Sequence, residues 1–321
     1  MSHNNIKVAV MFPGQGSQYV GMGKKLYDSS DFAKRTFKEA NEILGFDLAS
    51  ICFDGKSEDL TQTIHAQPAL FVVSFIMYQL YIKSQNISPS FFLGHSLGEI
   101  SALSCAAIIS FSDTINLIKA RSSYMQKCCE KGFGSMIAVI GQDLGIIKKC
   151  CQEVSDVYPS VEISNYNSPK QVVVSGKLEP LEILKDKLKK KGFLVLPLHV
   201  SAPFHSQFMK KAAQKFKVEL NKYKYNDINT PIISNVTAVP YLNKNSIVNN
   251  LAEQITSPVI WTSSVEYVIK NGANLLVEVG PKNVLKNLAK DICPLITAIS
   301  LDYEDDLNEW LQYSSAAISN K

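Results

Sequence analysis

A chain of 321 residues, 46% hydrophobic and 19% charged, has the balance of an ordinary globular protein, one large domain carrying a smaller inserted one. The net charge of +4 is mild and its lysines are spread over many segments, so there is no nucleic-acid footprint.

In chain order, "IKVAVMF" (Ile6 to Phe12) predicts a buried strand running into "PGQGSQ". One helix is expected from about Lys24 to Leu44 and a second from about Pro68 to Lys83. The apolar "LFVVSFIMYQLYI" is interrupted by Ser74 and Gln79 and is too short to span a bilayer. A short strand at Phe91–Leu93 leads through a glycine-flanked turn into a helix with Ile100, Leu103, Ala106 and Ala107 on one face. Ser112 is expected to cap the next helix, which ends near Gly132. From there the rhythm changes: a strand in "GSMIAVIG", a helix from Asp143 to Val154, and two strands around Asn167–Ser168–Pro169. A helix from Glu179 to Lys191 and a strand in "FLVLPL" complete β-α-β-β-α-β, the ferredoxin-like order. The run "KDKLKKKG" reads as the solvated end of that helix. A helix from His205 to Tyr223, a strand in "PIISNV", a strand in "ANLLVEVG" with a following helix, and a surface helix with a tail close the chain. Strands alternating with helices predict a mainly parallel sheet covered on both faces. The expected division is 1–131 with 201–321 as a large α/β unit, and 132–200 as the inserted unit.

The cysteines are Cys52, Cys105, Cys128, Cys129, Cys150, Cys151 and Cys293. An odd number without a C-x-x-C argues against a disulfide framework and a zinc site. The start "MSHNNIKVAV" lacks the layout of a signal peptide. A soluble protein of a reducing cytosol is expected.

"GHSLG" (Gly94 to Gly98) has G-x-S-x-G spacing between a strand and a helix. In such a turn small residues on both sides let the chain reverse sharply, lifting the serine hydroxyl clear of the backbone. The next residue opens a helix whose N–H groups face a reacting oxygen. A nucleophilic Ser96 and a plain strand-to-helix turn both fit the motif.

A serine nucleophile needs a base. His3 lies in the terminal tail and His65 in a polar loop. His95 adjoins Ser96, where neighbouring side chains point apart, and suits a structural or binding role. His199 lies in the apolar "LVLPLHV" and reads as a core histidine. His205 follows the kinked "SAPF" and opens a helix at an exposed, rigidly held position, which places it ahead of His199 as the base. Arg121 has Leu117, Ile118, Tyr124 and Met125 as helical neighbours; it must snorkel to water or meet a buried anion. In "PGQGSQ" the next glycine falls at Gly21, which breaks dinucleotide-loop spacing, whereas N–H groups offered to the Ser96 cleft fit the turn as well.

Several stretches together resemble one family, the malonyl-CoA:acyl-carrier-protein transacylases and the acyltransferase domains of polyketide and fatty-acid synthases. They are "FPGQGSQYVGMG" (12–23), "GHSLGE" (94–99), "AR" with Met125 (120–125), "NYNSP" (165–169), "SAPFHSQFM" (201–209), "QITSPVIWT" (254–262) and "EVGPKNVL" (278–285). The resemblance implies an α/β-hydrolase-like large subdomain with a ferredoxin-like insert. It implies Ser96 as the acylated nucleophile, His205 as its base, and N–H groups of Gln15 and Leu97 as the oxyanion hole. Arg121 would pair with the malonyl carboxylate, and the main-chain carbonyl of Gln254 would orient the histidine in place of an acid. Met125, Phe204 and His95 would line the substrate site, with Phe204 crowding the extra methyl of methylmalonyl-CoA. The implied reaction is ping-pong, from malonyl-CoA to the phosphopantetheine thiol of an acyl carrier protein, with no metal or redox cofactor. "NEILGFDLASIC", "HAQPALFVV" and "PIISNVTAVPY" look closest to free-standing acyltransferases that serve polyketide synthases in trans.

Three other readings have their own signatures. An editing hydrolase of carrier-bound acyl groups would not need a carboxylate clamp at Arg121. An idle carrier-binding partner would be expected to lack Ser96 or His205. A general esterase would normally carry an acid between its serine and a late histidine.

Overall fold

The computed structural model describes residues 6–318 apart from 86, 131 and 159. His3, half of the "MSHNNIKVAV" start and the last three residues of the expected tail lie outside them.

A parallel sheet contains β1 (Val8–Phe12), β2 (Phe91–Gly94), β7 (Leu275–Glu278) and β8 (Thr297–Ser300) in the order β2-β1-β7-β8. Register runs Ala9 to Phe91 on one side of β1 and Val8 to Leu275 on the other. All five residues of β1 are buried. Val8, Val10 and Phe12 pack into one core and Ala9 and Met11 into another, because successive side chains leave opposite faces of a strand. The first core is closed by α2 (Asp31–Leu44), α5 (Thr63–Tyr81), α6 (Leu97–Cys105) and α7 (Phe111–Gln126), the second by α12 (Trp261–Lys270) and α13 (Val284–Ile292).

The second sheet is antiparallel, with β3 (Gly134–Ile140), β4 (Val161–Ser168), β5 (Gln171–Lys177) and β6 (Leu194–Pro197) in the order β4-β5-β3-β6. That is the strand order expected of a βαββαβ unit. Ile137 and Val139 face α8 (Leu144–Ser155) and α9 (Leu178–Lys190); Met136, Ala138 and Val173 on the other face join the core of the parallel sheet. One face of this sheet therefore walls the cleft between the two sheets.

Several expectations are corrected. The predicted 24–44 helix is two: α1 (Lys24–Ser29) stops at Ser30, which is extended and caps α2 by accepting from Ala33 N at 3.4 Å. The short α3 (Leu48–Phe53) and α4 (Ser57–Thr61) were not foreseen, being too brief to show a helical period. Helix α5 begins at Thr63 and contains Pro68, so a proline expected to open the helix sits in its second turn. Ser110, not Ser112, caps α7, accepting from Asp113 N at 3.1 Å, and the helix ends at Gln126. "PIISNV" forms isolated bridges rather than a strand: Ile232 pairs with Phe92 and Ile233 with Pro240, and the chain then turns where Ala238 N bonds Ser234 O. The helix expected from His205 starts later, as a 3₁₀ turn at Gln207–Met209 and α10 (Lys210–Leu220), because His205 takes φ 56°. After α11 (Lys244–Gln254) and α13, strand β8 was also missed. The last helix, α14 (Glu304–Ile318), is more than a surface element: Trp310 is buried and its Nε1 donates to Tyr81 O at 2.7 Å. Among the described residues no helix is long and apolar enough to cross a membrane.

Candidate active site

The ends of β1 and β2 lie side by side at the carboxyl edge of the parallel sheet, where open α/β sheets bind ligands. Past β2 the chain reverses at Ser96, whose φ of 52° and ψ of −103° are unusual for a side-chain-bearing residue. A Cβ at Gly94 would collide with the backbone of Gly98, and one at Gly98 with the Phe12 carbonyl, so both glycines answer to close approach. Such a backbone costs on the order of 1–3 kcal/mol and persists where surroundings hold it. Asn235 holds it: Oδ1 accepts from Ser96 N at 2.7 Å and Nδ2 donates to Gly94 O at 2.7 Å.

Ser96 Oγ lies 2.9 Å from His205 Nε2, and His205 Nδ1 lies 2.7 Å from the Gln254 main-chain carbonyl. A carbonyl only accepts, so Nδ1 carries the proton and Nε2 presents a lone pair to the serine hydroxyl. The expected exposure of His205 is wrong. It is 4% exposed, and the Phe204 carbonyl just before it is held by Ser175 Oγ at 2.6 Å. Burial first, and Arg121 second, push the imidazole down to about 3, so it is neutral at physiological pH. His199 is exposed beyond the end of β6, so the core reading of that residue is also corrected.

Arg121 is fully buried, which excludes snorkelling. Nη1 donates to Gln67 Oε1 at 2.9 Å, and Nη2 to Gln254 Oε1 at 2.7 Å and Ser96 Oγ at 3.1 Å. Among the described residues its Nε finds no hydrogen-bond partner. Burial lowers its value to about 10, against the pull of Glu99, which leaves a cation at neutral pH.

Gln254 joins these groups. Its Nε2 donates to Glu99 Oε2 at 2.5 Å and to Ser96 O at 3.0 Å. Glu99 also accepts from Asn235 N at 3.1 Å and from the Tyr241 hydroxyl; burial raises its carboxyl to about 7.

In front of Ser96 is a cavity of about 230 Å³. Gln15, Leu97, Met125, Phe204 and His95 all line it. Leu97 is the first residue of α6, where a helix leaves its N–H groups free, and Gln15 is tethered by its Nε2 to Thr63 Oγ1 at 3.3 Å. Met125 Sδ accepts from Gln67 Nε2 at 3.6 Å. His95 Nε2 lies 2.9 Å from Asn167 Oδ1, and Asn167 Nδ2 donates to Gln171 Oε1 at 2.9 Å, so a polar chain crosses between the sheets. Burial lowers the His95 imidazole below its ordinary value. Among the described residues no cluster of His, Cys, Asp or Glu could hold a metal ion.

All nine residues singled out from the sequence fall in this one constellation. Gln67, Glu99, Asn167 and Asn235 were missed as site residues. Gln67 and Glu99 carried one signal, a polar residue on an otherwise apolar helical stretch; the asparagines lie in "NYNSP" and "PIISNV" with no distinguishing period.

The acyl transferase domain family matches residues 10–293. A malonyl CoA-acyl carrier protein transacylase of Bacillus subtilis (strain 168) is 40% identical over 287 residues, 89% of this chain and 90% of that protein. The Escherichia coli (strain K12) protein of the same name is 40% identical over 295 residues, 92% and 95% of the two chains. Among solved structures, a type II polyketide synthase acyl-carrier protein in complex with its malonyl-transacylase aligns with TM-score 0.91 at 36% identity, over 96% of this chain and 99% of that one. The acyl-carrier-protein S-malonyltransferase of Bartonella henselae aligns with TM-score 0.90 at 36% identity, over 97% and 100%. With a hydrogen-bonded Ser–His pair beside a buried arginine and similarity over nearly the whole length, the chain belongs to the acyl transferase domain family and, within it, to the malonyl CoA-acyl carrier protein transacylases.

Proposed function

We propose that this protein transfers malonyl from malonyl-CoA to the phosphopantetheine thiol of an acyl carrier protein through an acyl-Ser96 intermediate. The observation that carries the reading is the buried Arg121 guanidinium 3.1 Å from Ser96 Oγ, a cation placed where the free carboxylate of a malonyl group on Ser96 would lie. In the first half-reaction the Ser96 proton moves to His205 Nε2 as Oγ attacks the thioester carbonyl. The N–H groups of Gln15 and Leu97 stabilise the tetrahedral oxyanion. Coenzyme A leaves as its sulfur takes the proton from His205. In the second half-reaction the carrier's thiol gives its proton to His205 and attacks malonyl-Ser96; the Oγ–acyl bond breaks as His205 returns that proton to Ser96 Oγ, leaving malonyl on the carrier and the free serine. Arg121 holds the carboxylate throughout, Met125 and Phe204 bound the acyl group, and His95 with Asn167 walls the entrance.

The chemistry needs only acid–base and hydrogen-bonding groups, so no metal or redox cofactor has a part in it. The residues 132–200 act in this reading as the small subdomain over the cleft of 1–131 and 201–321, in a cytoplasmic enzyme. The segments "NEILGFDLASIC", "HAQPALFVV" and "PIISNVTAVPY" favour service to a polyketide synthase in trans over fatty-acid synthesis. Intact-mass measurement after mixing with malonyl-CoA tests the intermediate: a stable gain of one malonyl group is expected, and rapid release of free malonate would mean hydrolysis instead. Loading a panel of polyketide and fatty-acid carrier proteins tests the pathway.

A further inference from the structure

Two opposite charges are buried beneath Ser96 and linked through one amide. Glu99 and Arg121 are both 0% exposed. Gln254 stands between them, donating to Glu99 at 2.5 Å and accepting from Arg121 at 2.7 Å. Among the described residues, the titratable groups facing Glu99 are Arg121 from α7, Tyr241 from the segment before α11 and, beyond Gln254, His205, which is neutral. At slightly alkaline pH, above the value of about 7 to which burial raises Glu99, the buried charge of the free site is therefore balanced, one negative against one positive. A malonyl carboxylate pairing with Arg121 adds a second negative charge, and an unbalanced buried charge is costly.

We propose that Glu99 is the charge compensator of this site: when the substrate carboxylate pairs with Arg121, Glu99 takes up one proton from solvent, so that malonyl binding is proton-coupled and acetyl binding is not. The inference rests on the malonyl reading of Arg121 given above. Balance holds on both sides. The free site has ionised Glu99 and cationic Arg121; the occupied site has neutral Glu99, cationic Arg121 and the malonate anion. The proton also has a place to go. The three partners of Glu99 are donors to it, but the Tyr241 hydroxyl, unlike the N–H groups of Asn235 and Gln254, can turn round. Once its own proton swings away, its oxygen can accept from a protonated Glu99. Burial already raises Glu99 to about 7, and a nearby anion raises it further, so uptake falls just above neutral pH.

Calorimetry tests this on Ser96→Ala protein, which binds without reacting. Titrating malonyl-CoA and acetyl-CoA at slightly alkaline pH, in buffers of different ionisation enthalpy, measures the protons exchanged, and the coenzyme's own ionisations cancel between the two ligands. Malonyl-CoA is expected to take up as much as about one proton more than acetyl-CoA, the limit set by one titrating carboxyl. Adding Glu99→Gln should remove the difference. Malonyl binding with no excess uptake overturns the inference, as does uptake that survives Glu99→Gln. If Glu99→Gln does not fold, the infrared difference spectrum of the Ser96→Ala protein with and without malonyl-CoA decides: a new band of a protonated buried carboxyl is expected, and its absence is fatal. Failure of wild-type protein to acquire malonyl on Ser96 would instead strike the proposed function.

Discussion

Arg121 Nη2 donates to the Ser96 hydroxyl across 3.1 Å, so a buried cation and the serine oxygen are in direct contact. The same nitrogen is anchored by Gln254 and its sister Nη1 by Gln67. In the proposed function this guanidinium receives the carboxylate of the acyl group. Arg121→Ala should reduce kcat/KM for malonyl-CoA by one to several powers of ten, at about 1.4 kcal/mol each, and leave acetyl-CoA unchanged or faster. Arg121→Lys should rescue partly, since a point charge lacks the two-pronged geometry. An equal fall for both substrates would make Arg121 structural.

Ser96→Ala removes one hydroxyl and no packing, so it should abolish acyl-enzyme formation with the fold intact. A variant that still gains the malonyl mass refutes the assignment. His205→Ala should slow acylation about 10²–10⁴-fold. Because His205 is held near 3 rather than 6.5, acylation by acetyl-CoA should show no acid limb at the ordinary imidazole value. A limb there that persists in Glu99→Gln protein would mean that the imidazole titrates normally.

Glu278 gives a stability test. It is fully buried, accepts from Leu285 N at 3.1 Å and Lys286 N at 2.8 Å at the start of α13, and burial raises it from 4.5 to about 8. A raised folded value means the folded protein holds the proton longer than the unfolded chain. Its contribution is therefore complete below 4.5 and is lost as pH rises through about 8. Glu278→Gln should be less stable than wild type at pH near 5, with the gap narrowing as pH rises. Thermal unfolding across pH measures this, and a constant gap counts against it.

Asn235→Ala should expose the strain at Ser96. It leaves Ser96 N and Gly94 O without their buried partner, at about 1–3 kcal/mol for each unsatisfied group. Both the unfolding midpoint and the acylation rate should fall. Wild-type values of both would show that the turn holds itself.

Phe204 is 4% exposed and lines the cavity next to His205. Phe204→Ala should relax discrimination against methylmalonyl-CoA, a difference of about 1–3 kcal/mol for one methyl group. Competition between the two thioesters reads it directly, and an unchanged ratio would remove Phe204 from specificity.

The sequence by itself determined what local sterics and short periods control. Gly94 and Gly98 mark the Ser96 turn because no Cβ fits there, and the period-2 and helical patterns gave both sheets' main strands and most of the long helices. The resemblance in seven motifs placed His205, Arg121 and Gln254 in one site before any geometry was known. Local pattern misjudged the burial of His205 and His199, the start of α5 and the single 24–44 helix, because a proline, a serine or a strained φ shifts a boundary without changing the hydrophobic period. Only the tertiary structure decided the support of the site. His205 reaches Ser96 from 109 residues away, Gln254 reaches Ser96 O from 158 and Asn235 reaches Ser96 N from 139. Contacts at such separations leave no local spacing to read: the cores that bury Glu99 and Arg121 bring their partners together, and burial is what makes each of those polar groups need one.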